Sequence, residues 1–453
     1  MNLHDRREES ARPASNRNQA STVNDTFENA TYAKVTRRLL PFLFVCFVAA
    51  YLDRVNVGFA KLQMLSDLKF SESVYGLGAG MFFIGYFLFE VPSNIFLHRV
   101  GARVWISRIM VTWGLVSAAS LFVKSPATFY ALRFLLGVAE AGFFPGIVLY
   151  LTYWYPSLRR GRMNALFMTG IPVAGLIGGP LSGWIMQVSN GVHGLSNWQW
   201  VFLLEAIPSL LLGAATLFIL PDGIHAAPWL DARQKQLLKD NIARDQTTGA
   251  EAPLRSIVSN GRLWQFAAIY FCCMMGLYCI SFYLPTLIKA AGVRDALEVG
   301  FMTAVPYVVA VAVMVLVARS SDHRNERRWH LAIAACAAAM GLYASTLYTG
   351  NLVLVLVTLS IGTAGVLSMM PVFWTYPSSV LTGTAAAAGI AMINSIGNLA
   401  GFVSPSIIGW MTDVTHSTNA GLIVVAIVLL FGAMLTLMQR TAQAPSSSEP
   451  RRA

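Results

Sequence analysis

The stretch Leu39–Ala60, LLPFLFVCFVAAYLDRVNVGFA, decides the fold class. A helix rising 1.5 Å per residue needs about 20 apolar residues to cross a hydrocarbon core about 30 Å thick, and this run has that length. Near its far end it carries Asp53 beside Arg54. A charge at mid-membrane costs about 2.5 to 3.5 kcal/mol on insertion scales, so an ionisable pair there marks a functional site and requires partners.

The chain around it has the composition of an integral membrane protein. Its 453 residues are 55% hydrophobic and only 12% charged, too apolar for an ordinary soluble domain. The net charge of +11 comes from Lys and Arg clustered in short loops between apolar runs, so it reports membrane topology rather than nucleic-acid binding. Cys46, Cys272, Cys273, Cys279 and Cys336 all fall inside apolar runs and read as small core residues, neither disulfides nor a metal site. No phosphate-binding loop, metal constellation or nucleophile triad is present, which argues against a membrane-embedded enzyme.

Apolar runs of spanning length recur near 39–60, 74–97, 104–123, 127–151, 163–188 and 200–220, and then near 263–288, 299–318, 329–349, 352–375, 385–410 and 420–438. The expectation is an all-α membrane protein of twelve transmembrane helices in two six-helix bundles, 37–220 and 263–439. A linker at 221–262 joins them, and tails at 1–36 and 440–453 read as disordered. In the linker, Trp229, Leu230, Leu237, Leu238 and Ile242 share a broad apolar face, which predicts a helix lying on the cytoplasmic leaflet. Arg37 and Arg38, Arg99 and Arg103, Arg159, Arg160 and Arg162, and Arg319 to Arg328 mark alternate loops as cytoplasmic, which places both termini there. Short basic turns at His98–Arg103 and Ser321–Arg327, at corresponding points of the two halves, suggest duplicated bundles with the substrate site between them.

The fourth run supplies partners for the opening pair. Arg133 and Glu140 stand seven residues apart, two helical turns on one face. With Asp53 and Arg54 they sum to zero charge, and a shared polar cavity is a better home for four charges than lipid. Two readings follow. One is a static network joining the first and fourth helices. The other, favoured, is a proton-coupled anion site in which Arg54 binds a substrate carboxylate through its planar fork while Asp53 and Glu140 exchange protons. No histidine or lysine lies in a spanning core, so intramembrane proton chemistry falls to carboxylates. Glu90 and Glu205, near helix ends, read as structural or gating residues.

The cores of the last six runs hold no ionisable Asp, Glu, Lys, Arg or His, but they offer Tyr278, Phe282, Trp374, Asn394 and Asn398. A site needs a few placed polar groups on an apolar wall. The first half would therefore handle charge and protons while the second reads the rest of the substrate. The run Gly175–Gly183, GLIGGPLSG, is explained by close helix packing and a kink, and it also matches a glycine-proline pattern associated with antiporters, so exchange or export stays open. A transport-inactive sensor is disfavoured because neither tails nor linker contain a signalling domain.

Four motifs in combination, YLDRVN (51–56), PSN (92–94) with RVGAR, RFLLGVAEAGFFP (133–145) and GIAMINSIGN (389–398), make the chain resemble the anion:cation symporters of the major facilitator superfamily. It is most similar there to bacterial carboxylate permeases for tartrate, phthalate and 4-hydroxyphenylacetate. The resemblance implies proton-driven uptake by alternating access across the bacterial inner membrane, by a monomer needing no cofactor beyond the proton. It assigns proton sites to Asp53 and Glu140, an anion ligand to Arg54, an ion-pair or second anion contact to Arg133, and cavity positions to Tyr51, Tyr86, Trp374 and Asn394. His98 replaces the family's usual Asp in the first basic turn while Asp322 keeps it in the second, so Arg99, Arg103 and Asp322 are expected to gate unequally. Ile171 stands where a sugar-acid carrier has an amide, which leans the substrate toward an aromatic acid.

Overall fold

The computed structural model describes residues 14–189, 191–246, 260–380 and 383–439. Among these there are no strands, and twelve helices are long and apolar enough to cross a bilayer. Spans 1 to 6 are Asp25–Leu68, Glu72–Val100, Ala102–Phe122, Pro126–Thr152, Arg159–Val188 and Asn197–Ile219. Spans 7 to 12 are Gly261–Ala290, Ala296–Arg324, Arg328–Leu347, Leu352–Pro377, Gly389–Thr415 and Asn419–Leu437. The expected segments beyond these limits, 1–13 and 440–453, lie outside the described residues.

Three expectations are corrected. The tail is helical from Ala14, and its last turns are held by protein contacts: Arg159 pairs with Glu28 at 3.1 Å, and Tyr32 stacks on Tyr155. Polarity suggested disorder there, but the polar face of this helix has partners at the base of span 5. The linker helix, Ala232–Gln246, does not simply lie on lipid. Leu238 is fully buried, Trp229 stacks flat on Trp154, Asn241 donates to Tyr32, and Asp245 accepts from the backbone and hydroxyl of Ser157. Its apolar face therefore covers the basic end of the first bundle. The first run, expected near 39–60, extends through Lys61, which is only 4% exposed.

Lys61 belongs to a closure between the halves at the end opposite the arginine-rich loops, called the outer end below. Its Nζ pairs with Glu72 at 2.7 Å and lies 4.2 Å from the ring centre of Tyr283 and 4.7 Å from that of Tyr75. The Tyr75 hydroxyl donates to the Phe282 carbonyl, and Lys289 donates to the Leu62 carbonyl. Asp413, at the end of span 11, accepts from the backbone N–H groups of Glu72 and Ser73 at 3.0 and 2.8 Å. It thereby caps span 2 with a carboxylate from the other half, where the orphan amides and the helix dipole favour negative charge.

Spans 5 and 8 complete the closure. A Cβ on Gly179 would stand 2.6 Å from the Gly300 carbonyl, and one on Gly183 2.5 Å from that of Ala296. The glycine-rich run is thus used for helix contact across the halves, as close packing predicts. Spans 2 and 11 stay together from Glu72 inward to Glu90, where Asn394 and Ser395 donate to the Glu90 carboxyl. Beyond that level, toward the basic end, the described polar contacts stay within one half. Arg99 and Arg103 are exposed, the Arg103 backbone N–H donates to Asp222, and Asp322 pairs with Arg327 at 2.6 Å. The expected gating trio therefore does not bridge the halves in this outer-closed conformation.

Asp413→Asn keeps the shape of the cap but removes its charge. Losing a negative charge at a helix N-terminus costs up to about 1 kcal/mol. The outward-open population, read by electron-spin distances between labels on the outer ends of spans 2 and 11, should rise by up to about fivefold.

Candidate functional site

The candidate anion site is built where span 1 crosses span 4. Arg54 falls in the last turn of the helix Ala14–Val55, where its charge complements the helix dipole. Glu140 is the last residue of the helix Pro126–Glu140, where the dipole opposes a negative charge. Arg54 Nη2 and Glu140 Oε1 form an ion pair between a side chain 13% exposed and one 1% exposed. Glu140 is aimed by the break after it. Gly142 has φ +84°, and a Cβ there would strike the Ser93 side chain of span 2, so only glycine allows both the turn and the close approach.

Aromatic rings fence the guanidinium. Its Cζ lies 5.1 Å from the ring centre of Phe82, 5.5 Å from Tyr86 and 5.8 Å from Tyr51. Such contacts are worth about 2 kcal/mol or more when desolvated, which helps hold a cation at membrane depth. Arg133, 1% exposed, has its Cζ 5.4 Å from the ring centre of Phe82 and reaches the Arg54 carbonyl with a long 3.4 Å contact. Its Nε and Nη1 find no hydrogen-bond partner among the described residues. A buried guanidinium with spare donors beside a paired one is a good receptor for a carboxylate.

Asp53 does not join this group, which corrects the expected four-charge cluster. It points toward spans 3 and 6. There it accepts from Trp113 Nε1 at 3.0 Å, from Ser117 Oγ at 2.9 Å and from the Ser209 hydroxyl. Adjacent residues on a helix diverge by about 100°, so Asp53 and Arg54 necessarily face different neighbours. Trp113, Ser117 and Ser209 were missed in the sequence. Their signal was faint: Trp113 and Ser117 are one turn apart on span 3, the spacing that presents two donors to one acceptor.

The second half contributes neutral groups. Tyr278 donates to Asn398 Oδ1 at 3.0 Å and packs edge-on against Phe83 of span 2 at 4.3 Å. Trp374 packs edge-on against Tyr270 at 4.9 Å. Tyr51 and Ser281 share a hydrogen bond of 2.9 Å across the halves. Asn394, expected at the substrate, gives its amide to Glu90 at 3.3 Å, and Ser395 gives its hydroxyl at 3.1 Å. Glu90, placed at a helix end by the sequence reading, is thus a buried link between the halves. Tyr51, Arg54, Tyr86, Arg133 and Glu140 come together, Tyr278 and Asn398 bond each other in the second half, and Asn394 is taken up by Glu90. Ile171 packs on Tyr51, Leu52 and Ala174, which keeps that side of span 1 apolar.

Trp113→Phe deletes one of three donors to a buried carboxylate without changing the ring contact with Phe143. A hydrogen bond to a charged group contributes about 1.5 to 3 kcal/mol, so the variant should unfold at a clearly lower temperature in detergent while its Arg54 site stays intact.

Comparison with known proteins agrees with this architecture. The model of the Major Facilitator Superfamily matches residues 43–405. A Pseudomonas putida chain named for metabolite transport, NicT, is 48% identical over 92% of this chain and 97% of its own length. An Agrobacterium vitis chain named for tartrate transport is 47% identical over 92% of each. A quinolone resistance transporter of Acinetobacter baumannii is 41% identical over 90% of this chain and 95% of its own. Among solved structures, a D-xylose–proton symporter superposes with a TM-score of 0.70 at 16% identity, covering 88% of this chain and 96% of that one, a likeness of fold. These relatives are transporters rather than enzymes, and the chain belongs to the Major Facilitator Superfamily.

Proposed function

We propose that the protein takes up a small organic carboxylate together with protons by alternating access. The observation that carries this reading is the Arg54–Glu140 ion pair inside its aromatic fence. A substrate carboxylate can replace Glu140 on the Arg54 fork with the same bidentate chemistry. Glu140, left without its cation in a dry site at a helix C-terminus, then takes a proton. Anion and proton enter as a neutral set, which avoids moving an uncompensated charge through the membrane. Spare donors on Arg133 hold a second oxygen of the substrate.

The aromatic residues around Arg54 and the apolar Ile171 favour an aromatic or hydroxy acid, and the relative named for tartrate transport points to the same chemical class. A dianion would need two protons for neutral entry. Asp53, separate from the anion site and held by neutral donors, is the candidate for the second exchange.

Export is a second reading, favoured by the relative named for quinolone resistance. An exchanger would show trans-stimulation without dependence on a pH gradient. Uptake of tartrate, galactonate, phthalate, 4-hydroxyphenylacetate and nicotinate into proteoliposomes, with and without an imposed acid-outside gradient, separates the two. In the same assay Glu140→Gln should abolish net accumulation and retain counterflow exchange. Unchanged concentrative uptake by this variant would sink the proton role of Glu140.

A further inference from the structure

Span 1 has a second polar face that the anion site does not use. Leu52, Val55, Asn56 and Phe59 look away from Arg54 into a pocket walled by spans 5, 6, 7 and 8. Its polar lining is Asn56, Ser182 and Glu205 from the first half and Ser281, Thr303 and Tyr307 from the second. Glu205, 3% exposed, accepts from Ser182 Oγ at 2.5 Å through Oε1, while its Oε2 has no hydrogen-bond partner among the described residues. Asn56 is 1% exposed, and both ends of its amide likewise lack a partner within hydrogen-bond distance there.

Among the described residues no cation stands beside Glu205. The ionisable groups that face it are Asp53 of span 1 and, across the pocket, Tyr307 of span 8. Spans 3 and 5 present the neutral Trp113, Ser117 and Ser182 to this pair of carboxyls. Lys61, the next cation along span 1, is turned to Glu72 and two tyrosine rings. The charge ledger of the buried core is therefore larger than the first four residues suggest. Asp53, Glu90, Glu140 and Glu205 face only Arg54 and Arg133, and a neutral core holds two protons.

The place of the pocket decides which carboxyl can exchange a proton with the outer solution. It lies between the halves, directly inside the Gly179–Gly300 and Gly183–Ala296 contacts that close the outer ends of spans 5 and 8. Parting those spans would uncover Glu205, and closing them would seal it, in the motion that opens and shuts the substrate cavity. We propose that Glu205, with Asn56 and Ser182, is a further proton-loading site beside Glu140 and Asp53, distinct from the anion site, that takes one proton per cycle from the outer side. The proton joins the free Oε2, the acid is carried neutral in the sealed state, and it returns to a carboxylate when the proton leaves toward the cytoplasm. The proposal rests on proton coupling as the protein's function.

The test uses proteoliposomes and the acid of the panel above that the wild type accumulates fastest, with an imposed difference of about one pH unit. Each coupled proton is then worth about tenfold in accumulation ratio. Glu205→Gln should lower that ratio by about tenfold, carry one proton fewer per substrate by a trapped pH dye, and keep wild-type counterflow. Ser182→Ala removes the hydroxyl that donates to the Glu205 carboxylate, so the acid holds its proton more tightly and the alkaline limb of the uptake profile should move to higher pH. A Glu205→Gln carrier with the wild-type proton count overturns the proposal. If that variant fails to assemble, an unmoved pH profile in Ser182→Ala overturns it instead. A wild type indifferent to the pH gradient defeats proton coupling altogether, whereas a responsive wild type with an unaffected Glu205→Gln defeats this inference alone.

Discussion

Everything in the first bundle follows from the need to keep one guanidinium charged where lipid would not tolerate it. Arg54 cannot give up its proton, so the fold must supply compensation: a carboxylate at Glu140, three aromatic faces and the favourable end of a helix. Breaking such a pair by removing one member costs about 3 to 5 kcal/mol. That penalty makes the empty site unsuited to standing open and unpaired. On the reading proposed above, the pair must always be complete while its anionic member is exchanged for the substrate.

The two halves divide the work because charge and contact have different geometric requirements. Charges need fixed partners, and the first half supplies them from spans 1, 2 and 4. Contacts between the halves either join neutral groups or set one ionisable side chain against a neutral one. Tyr51 meets Ser281 and Tyr75 meets a carbonyl, while Asn394 and Ser395 donate to Glu90. Neutral bonds contribute about 1 kcal/mol each, small enough for a ligand to redistribute. At the outer end Lys61 against Tyr283, Lys289 on the Leu62 carbonyl and Asp413 on the first amides of span 2 add charge-assisted contacts that favour the closed outer end.

What could be read in the sequence was whatever one helix decides alone. The number of spans and the two-turn spacing of Arg133 and Glu140 are local, and both are present in the structure. What escaped depends on several helices at once. Glu90 looked peripheral because its depth was judged along span 2, whereas its burial comes from span 11. Lys61 fell outside the expected span because the apolar run ended at Ala60. The helix nevertheless runs on to Leu68, and Tyr283 from the far half covers the cation. The linker face was correctly seen as apolar, but an apolar face does not name its partner, and here Trp154 and the bundle base take the place of lipid.

The error over Asp53 is the most instructive, since net charge was right and direction was not. Four charges that sum to zero need not form one cluster when two of them are consecutive on a helix, because a turn of about 100° sends them to different neighbours. Span 1 is consequently a partition. On one side Arg54 looks into the anion site, and on the other Asp53 and Asn56 look toward spans 3, 5 and 6. Both sets ride on the same rigid helix, which also touches the second half through Tyr51 and, at Gly58, through the backbone of Phe282. Any displacement of span 1 that reshapes the anion site must therefore alter the carboxyl side in the same movement. On the reading proposed above, coupling between substrate and proton would need no wire between distant residues, because neighbours in sequence on opposite faces of one helix would supply it.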